Sequence, residues 1–184
     1  MNKDLIINVN KNGVEIALLE DKHLVEIHKD KEENAHLVGD VYLGTVKKVM
    51  PGLNAAFIDV GFEKDGFLHY LDLGHHFPSL AKFTRIAISG DTKASNIEEM
   101  KLESEIEKNG KINTILKQGQ IILVQVTKEP ISTKGPRMSS EISFAGRFLV
   151  LIPFSNKVSI SSKIKSLEER KRLKRIINSI RPNN

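Results

Sequence analysis

The chain has 184 residues, with 28 Lys and Arg against 23 Asp and Glu, 40% hydrophobic residues, 5% aromatic residues and no Cys. That length suits one domain or two small ones, and the missing cysteines exclude both a disulfide framework and a thiolate metal site within the chain. No charged segment leads into an apolar signal core and no long apolar run occurs, so the expectation is a soluble, cytoplasmic protein with no membrane partner.

The charge is unevenly spread. From Lys128 onward there are 13 Lys and Arg against 4 Asp and Glu; before it the acidic residues are in excess, 19 against 15. A basic second part fits either a polyanion partner such as RNA or a solvated helix face.

The first thirty residues read as an antiparallel meander. Asp4 to Val9 is a short apolar strand, Gly13 to Leu19 alternates, and His23 to Ile27 follows after Glu20-Asp21-Lys22. Lys11-Asn12-Gly13 is a turn signal between the first two. A charged link over 29–33 leads into a stretch with a glycine rhythm. Val41, Leu43, Thr45 and Val46 form one strand, broken at Met50-Pro51-Gly52. Leu53, Ala55, Phe57 and Asp59 form a second, broken at Gly61, and Gly66-Phe67-Leu68 begin a third. Short strands with turn residues between them predict a small curled antiparallel sheet. Phe57 and Phe67 sit on adjacent strands, with Lys47, Lys48 and Lys64 nearby. On the residues alone the two rings either fill the barrel core or line an outer face, where aromatics flanked by cations would suit single-stranded nucleic acid.

Residues 75–115 carry little periodic hydrophobicity and read as a partly mobile surface excursion, with a charged helix over 96–109 capped by Asn96. Gln120 to Val126 is a strong strand, residues 128–136 a loop, and 137–143 a returning strand of mixed character. Phe148 to Ile152 is apolar throughout, as a strand covered on both faces would be. Val158 to Ile164 alternates as a one-sided strand. Ser166-Leu167-Glu168-Glu169 is a capping-box pattern that opens a final helix with Leu173, Ile176, Ile177 and Ile180 on one stripe. The two ends thus look like halves of one layer pair, and the middle like a separate barrel set between them. The six histidines have no ligand spacing, and Asp40, Asp59, Asp65 and Asp72 read as surface or turn carboxylates, so the chain offers no catalytic set and no metal site.

The middle segment resembles the S1-type RNA-binding domain, an OB-fold barrel. The matching residues are Gly44-Thr45-Val46, the run from Gly52 to Gly61, Gly66-Phe67-Leu68-His69, Gly119-Gln120 and Val124-Gln125-Val126. With the runs from Val124 to Arg137 and from Ile142 to Pro153, nearly the whole chain resembles the N-terminal part of the bacterial ribonuclease E/G family, the ribonuclease G branch best. The resemblance implies an α+β fold. An S1 barrel over 37–140, with a surface insertion at about 75–115, would be inserted into a discontinuous ribonuclease-H-like subdomain over 1–36 and 141–184.

It also implies an activity, endonucleolytic cleavage of single-stranded RNA in RNA processing and decay, favoured by a 5′-monophosphate. The parent would be a Mg2+-dependent endoribonuclease. Its catalytic aspartates, and the Cys motif that binds Zn2+ between subunits of a homodimer or higher oligomer, match nothing in this chain. The expectation is therefore an inactive N-terminal RNA-binding portion without catalytic residues or cofactors of its own. The alternative is a non-catalytic S1-type RNA-binding or assembly module. Phe57 and Phe67 match the family's RNA-contacting aromatics, and Lys134 matches a lysine that also contacts RNA. Arg137 and Lys128 are further candidates for phosphate contacts. Gly146 and Val150 match positions near the family's 5′-phosphate pocket, where a glycine either admits a phosphate to backbone amides or simply makes a tight bend.

Overall fold

The structure, a computed structural model, describes residues 2–11, 13–30, 38–90, 100–146, 148–155 and 158–180. The chain divides into two compact units, Met1–Leu37 and Val38–Asn184. The first is a meander of β1 (Lys3–Asn10), β2 (Gly13–Glu20) and β3 (His23–Asp30), with β2 in the centre and both pairings antiparallel. Asp21 and Lys22 both take positive φ, 46° and 68°. That is the left-handed pair a two-residue hairpin needs to match the strand twist. Ion pairs Lys3–Glu20 and Glu15–Lys29, both 2.7 Å, staple neighbouring strands. Asn12, part of the expected first turn, lies outside the described residues.

The second unit is built around a closed barrel of β4 (Val41–Met50), β5 (Ala55–Asp59), β6 (Gly66–His69), β7 (Ile121–Lys128) and β8 (Arg137–Ser139), in the order β4-β5-β6-β8-β7. The molecule is thus α+β with an OB-like barrel. The long β4 serves both β5 and β7, and a bulge between Val46 and Lys48 lets it bend from one to the other. Inward residues alternate along each strand: Val46, Ala56, Ile58, Leu68, Ile122, Val124, Val126 and Met138 are all buried. Gly66 faces Met138 so closely that a Cβ would sit 2.5 Å from its terminal methyl. Leu53, expected to start the second strand, lies instead in a 3-10 turn, Pro51–Leu53.

The stretch read as a surface excursion is part of the core. Helix α1 (Phe77–Ser89) buries Phe77, Ser79, Leu80 and Thr84, with a proline in its first turn and Gly90 as a left-handed cap. A single-turn helix, α2 (Ile112–Ile115), buries Ile112, and Leu116 follows it into the same barrel cluster. Asn54 fastens this end. Its side-chain amide donates to Gly110 O at 3.1 Å, while its carbonyl accepts from Ile112 N at 2.7 Å. The helix expected over 96–109 is not formed at 100–109; 96–99 lie outside the described residues. Tertiary contacts override the local propensity. Glu103 N donates to Ser79 Oγ, Ile106 N to His75 O, and Lys82 reaches Lys101 O and the Glu103 carboxylate. Met100 and Leu102 pack with Leu80, Ile142 and Phe154 in a second apolar cluster.

Beyond the barrel come β9 (Phe144–Ala145), β10 (Leu149–Leu151) and β11 (Ser159–Ile160), an antiparallel sheet with β10 central, and helix α3 (Leu167–Ile180). The expected strands over 137–143, 148–152 and 158–164 are shorter than their sequence patterns. Leu149, Val150 and Leu151 are exposed rather than covered on both faces, because α3 lies against β11 and the partner strands are only two residues long. Ser166 does cap α3, accepting from Glu169 N at 3.3 Å. The Glu169 carboxylate does not reach back, however; it pairs with Arg172 at 2.7 Å, and that bond holds it below the usual carboxylate range. Arg170 donates to the carbonyls of Ser161, Ile164 and Ile160 and so ties the start of α3 to the preceding segment. No helix among the described residues is long and apolar enough to cross a membrane.

If the 100–116 stretch belongs to the core, Ile112→Ala should lower the unfolding free energy by about 2–5 kcal/mol, the usual cost of emptying a buried Ile site. Urea denaturation measures this, and an unchanged midpoint would return the stretch to the surface.

Candidate nucleic-acid interface

The barrel's outer face follows from the same alternation that fills its inside. With Ala56 and Ile58 inward, Phe57 must point out of β5; with Gly66 and Leu68 inward, Phe67 must point out of β6. The two are directly opposite in register, and their rings meet edge to face at 5.9 Å and 69°. Both are half-buried, so neither fills the core. Register extends the row in both directions. Lys48 pairs with Phe57, Arg137 with Phe67, and Lys128 with Arg137. Two bulges, at Lys47 and Thr127, set Lys48 and Lys128 on this row. The result is a band of cation, two aromatics and two cations across four neighbouring strand pairs.

Two loops wall the band into a groove of about 670 Å³, lined by Phe57, Phe67, Glu63, Lys64, Lys134 and Arg137 among others. One loop joins β5 to β6, the other β7 to β8. Lys64 Nζ donates to Ser132 O at 2.6 Å. Gly135 lies on the Asp65 carbonyl so tightly that any Cβ would collide with backbone. Ser132, at φ +54°, lets residues 131–134 turn sharply, and Lys134 N donates to Ile131 O.

The cations divide into two kinds. Lys47 bonds Asp65 at 3.0 Å, which holds its ammonium above the usual range. Arg137 is bidentate on Asp72, with contacts of 2.9, 3.0 and 3.3 Å. Its charge is largely answered within the protein, and it also braces the turn after β6. Lys48, Lys128 and Lys134 are exposed and make no side-chain bond or ion pair among the described residues. The sequence pattern did not single out the Lys64–Ser132 bond or the Asp72 partner. The close approach of Gly135 to the Asp65 carbonyl likewise came only with the structure.

Gly146 and Val150 are not on the barrel; they belong to the β9-β10-β11 sheet. Gly146 N donates to Leu149 O at 2.8 Å and closes the β9–β10 hairpin, so that amide is already committed. Arg147 lies outside the described residues. The four aspartates do not converge. Asp59 accepts from Gly61 N, Asp65 and Asp72 hold Lys47 and Arg137, and Tyr42 donates to Asp40. No group of three His, Asp or Glu among the described residues could hold a metal.

Residues 143–184 match the sequence model of the Ribonuclease E/G family. Ribonuclease G of Escherichia coli (strain K12) is 33% identical over 177 residues, which is 96% of this chain and 32% of that protein. Ribonuclease G of Haemophilus influenzae is 36% identical over 174 residues, 95% of this chain and 32% of that protein. Ribonuclease E of Nostoc sp. is 38% identical over 148 residues, 80% of this chain and 18% of that protein. The chain spans about a third of the length of the ribonuclease G relatives.

Because Asp72 neutralises Arg137, Asp72→Asn should release a cation into the groove. A single-stranded oligonucleotide is expected to bind about 2- to 3-fold tighter at low salt, with a salt slope steeper by up to about 0.7, the contribution of one further phosphate on a single strand. Fluorescence anisotropy across a salt series reads both quantities; weaker binding would mean that Asp72 positions Arg137 rather than masking it.

Proposed function

We propose that this chain, which belongs to the ribonuclease E/G family, grips single-stranded RNA across the outer face of its barrel. The observation that carries this reading is the Phe57–Phe67 pair, turned outward and half-buried, with Lys48, Lys128 and Lys134 around it and without side-chain partners among the described residues. Aromatic rings offer stacking to any base, and unpaired lysines offer charge to phosphates, so the grip is tolerant of sequence and sensitive to salt. The strand order is the one an S1-type OB barrel uses, which supports the finer reading of the fold.

Within an endoribonuclease of RNA processing and decay, this portion holds the strand, while cleavage belongs to a Mg2+-dependent centre outside it. The chain's own described residues supply no carboxylate cluster for that task. On the same reading, residues 1–36 and 141–184 form the discontinuous ribonuclease-H-like subdomain, and Gly146 and Val150 form part of a 5′-phosphate pocket that needs further residues. The parent is a cytoplasmic homo-oligomer whose subunits are linked through Zn2+.

Phe57→Ala and Phe67→Ala should each weaken binding of a single-stranded RNA by about 1–3 kcal/mol, the range for loss of one stacked base. The purified chain with Mg2+ should leave the same RNA uncut on a denaturing gel. Unchanged affinity in a folded double variant would favour an assembly role for the face, and cleavage by the pure chain would overturn the placement of the catalytic centre.

A further inference from the structure

We propose that the two loops beside the paired phenylalanines form one preassembled jaw, in which Lys64 is the positioning residue that holds Lys134 over the aromatic face. This rests on the RNA-gripping reading above.

Lys134 has no side-chain partner among the described residues, so its reach is set by the backbone of its loop. That backbone is tied on both sides. Two residues before it, Ser132 O receives the Lys64 ammonium at 2.6 Å. One residue after it, Gly135 is pressed on the Asp65 carbonyl, where nothing larger than hydrogen fits. Asp65 is in turn anchored to β4 through Lys47 at 3.0 Å. Between the ties, residues 131–134 close a tight turn with Ser132 in the left-handed region. A charged donor on a carbonyl makes a stronger bond than a neutral one. It joins residues 68 apart in sequence, so its effect is to order a loop that local contacts alone would leave free. A loop ordered before the strand arrives spares the ordering cost on binding. The competing possibility is that Lys64 is simply one more phosphate ligand on the groove wall.

A double-mutant cycle on this chain separates the two. Lys64→Met, Lys134→Ala and the double variant would be titrated with labelled oligo(U) across a salt series. Amide hydrogen exchange of residues 131–135 would be followed in the RNA-free proteins. If Lys64 works through Lys134, each single change weakens binding about 5-fold, and the double variant falls within about 2-fold of Lys134→Ala, with the same salt slope. Lys64→Met also speeds exchange at 131–135. Additive losses, with the salt slope reduced by about 0.7 for each lysine, would make Lys64 a direct phosphate ligand and overturn the jaw. Unchanged exchange in Lys64→Met would overturn it as well. If the wild-type chain fails to bind oligo(U), the RNA reading falls and takes the jaw's role with it. Tight wild-type binding with additive losses removes the jaw alone.

Discussion

The candidate face depends on one short pairing, the parallel contact of β6 with the three-residue β8. Phe67 lies beside Arg137 and Leu68 beside Met138, and without these two rungs the barrel does not close. The pairing is possible because Gly66 has no side chain and Met138 fills the space a Cβ would take. Closure does two things at once. It seals Leu68 and Met138 into the core, and it carries the β7–β8 loop to the rim beside Phe57 and Phe67. Packing inside the barrel therefore sets the geometry of the groove outside it.

The electrostatics follow from which cations find partners within the protein. Lys47, Lys64 and Arg137 are each held by an oxygen of the fold, two by carboxylates and one by a carbonyl. They shape the wall. Lys48, Lys128 and Lys134 are not held by any side-chain bond among the described residues, and two of them reach the face only because a bulge offsets the alternation of their strand. Each bulge turns a residue that would otherwise follow the inward–outward rhythm into part of a straight row. Asp65 and Asp72 are thus structural, each engaged with a cation of the wall.

Much of this was legible in the sequence. The meander, the glycine-broken strands and the Ser166 cap all come from local patterns of period, turn residues and capping, whereas those patterns left Phe57 and Phe67 open between the barrel core and its outer face until the strand register was known. Contacts between distant segments were harder to foresee. Helix α1 lacks an obvious apolar stripe because Ser79 and Thr84 are buried alongside Phe77 and Leu80. Pro78 near its start and Gly90 at its end are the residues whose local preferences do fit the helix observed. The residues at 100–109 favour a helix locally, and they lose it to bonds with Ser79, His75 and Lys82, which no short window contains. Arg137 reads as a free cation until Asp72, 65 residues away, is brought beside it.

The spacing of these contacts has a kinetic side. The ties that build the groove, Lys64 to Ser132 and Arg137 to Asp72, close loops of 68 and 65 residues, whereas the Phe57–Phe67 pair closes one of ten. Long loops must be closed before their contacts repay the entropy. Loop-closure entropy therefore makes the aromatic hairpin the less costly contact to form and leaves the two long ties to the docking of β8.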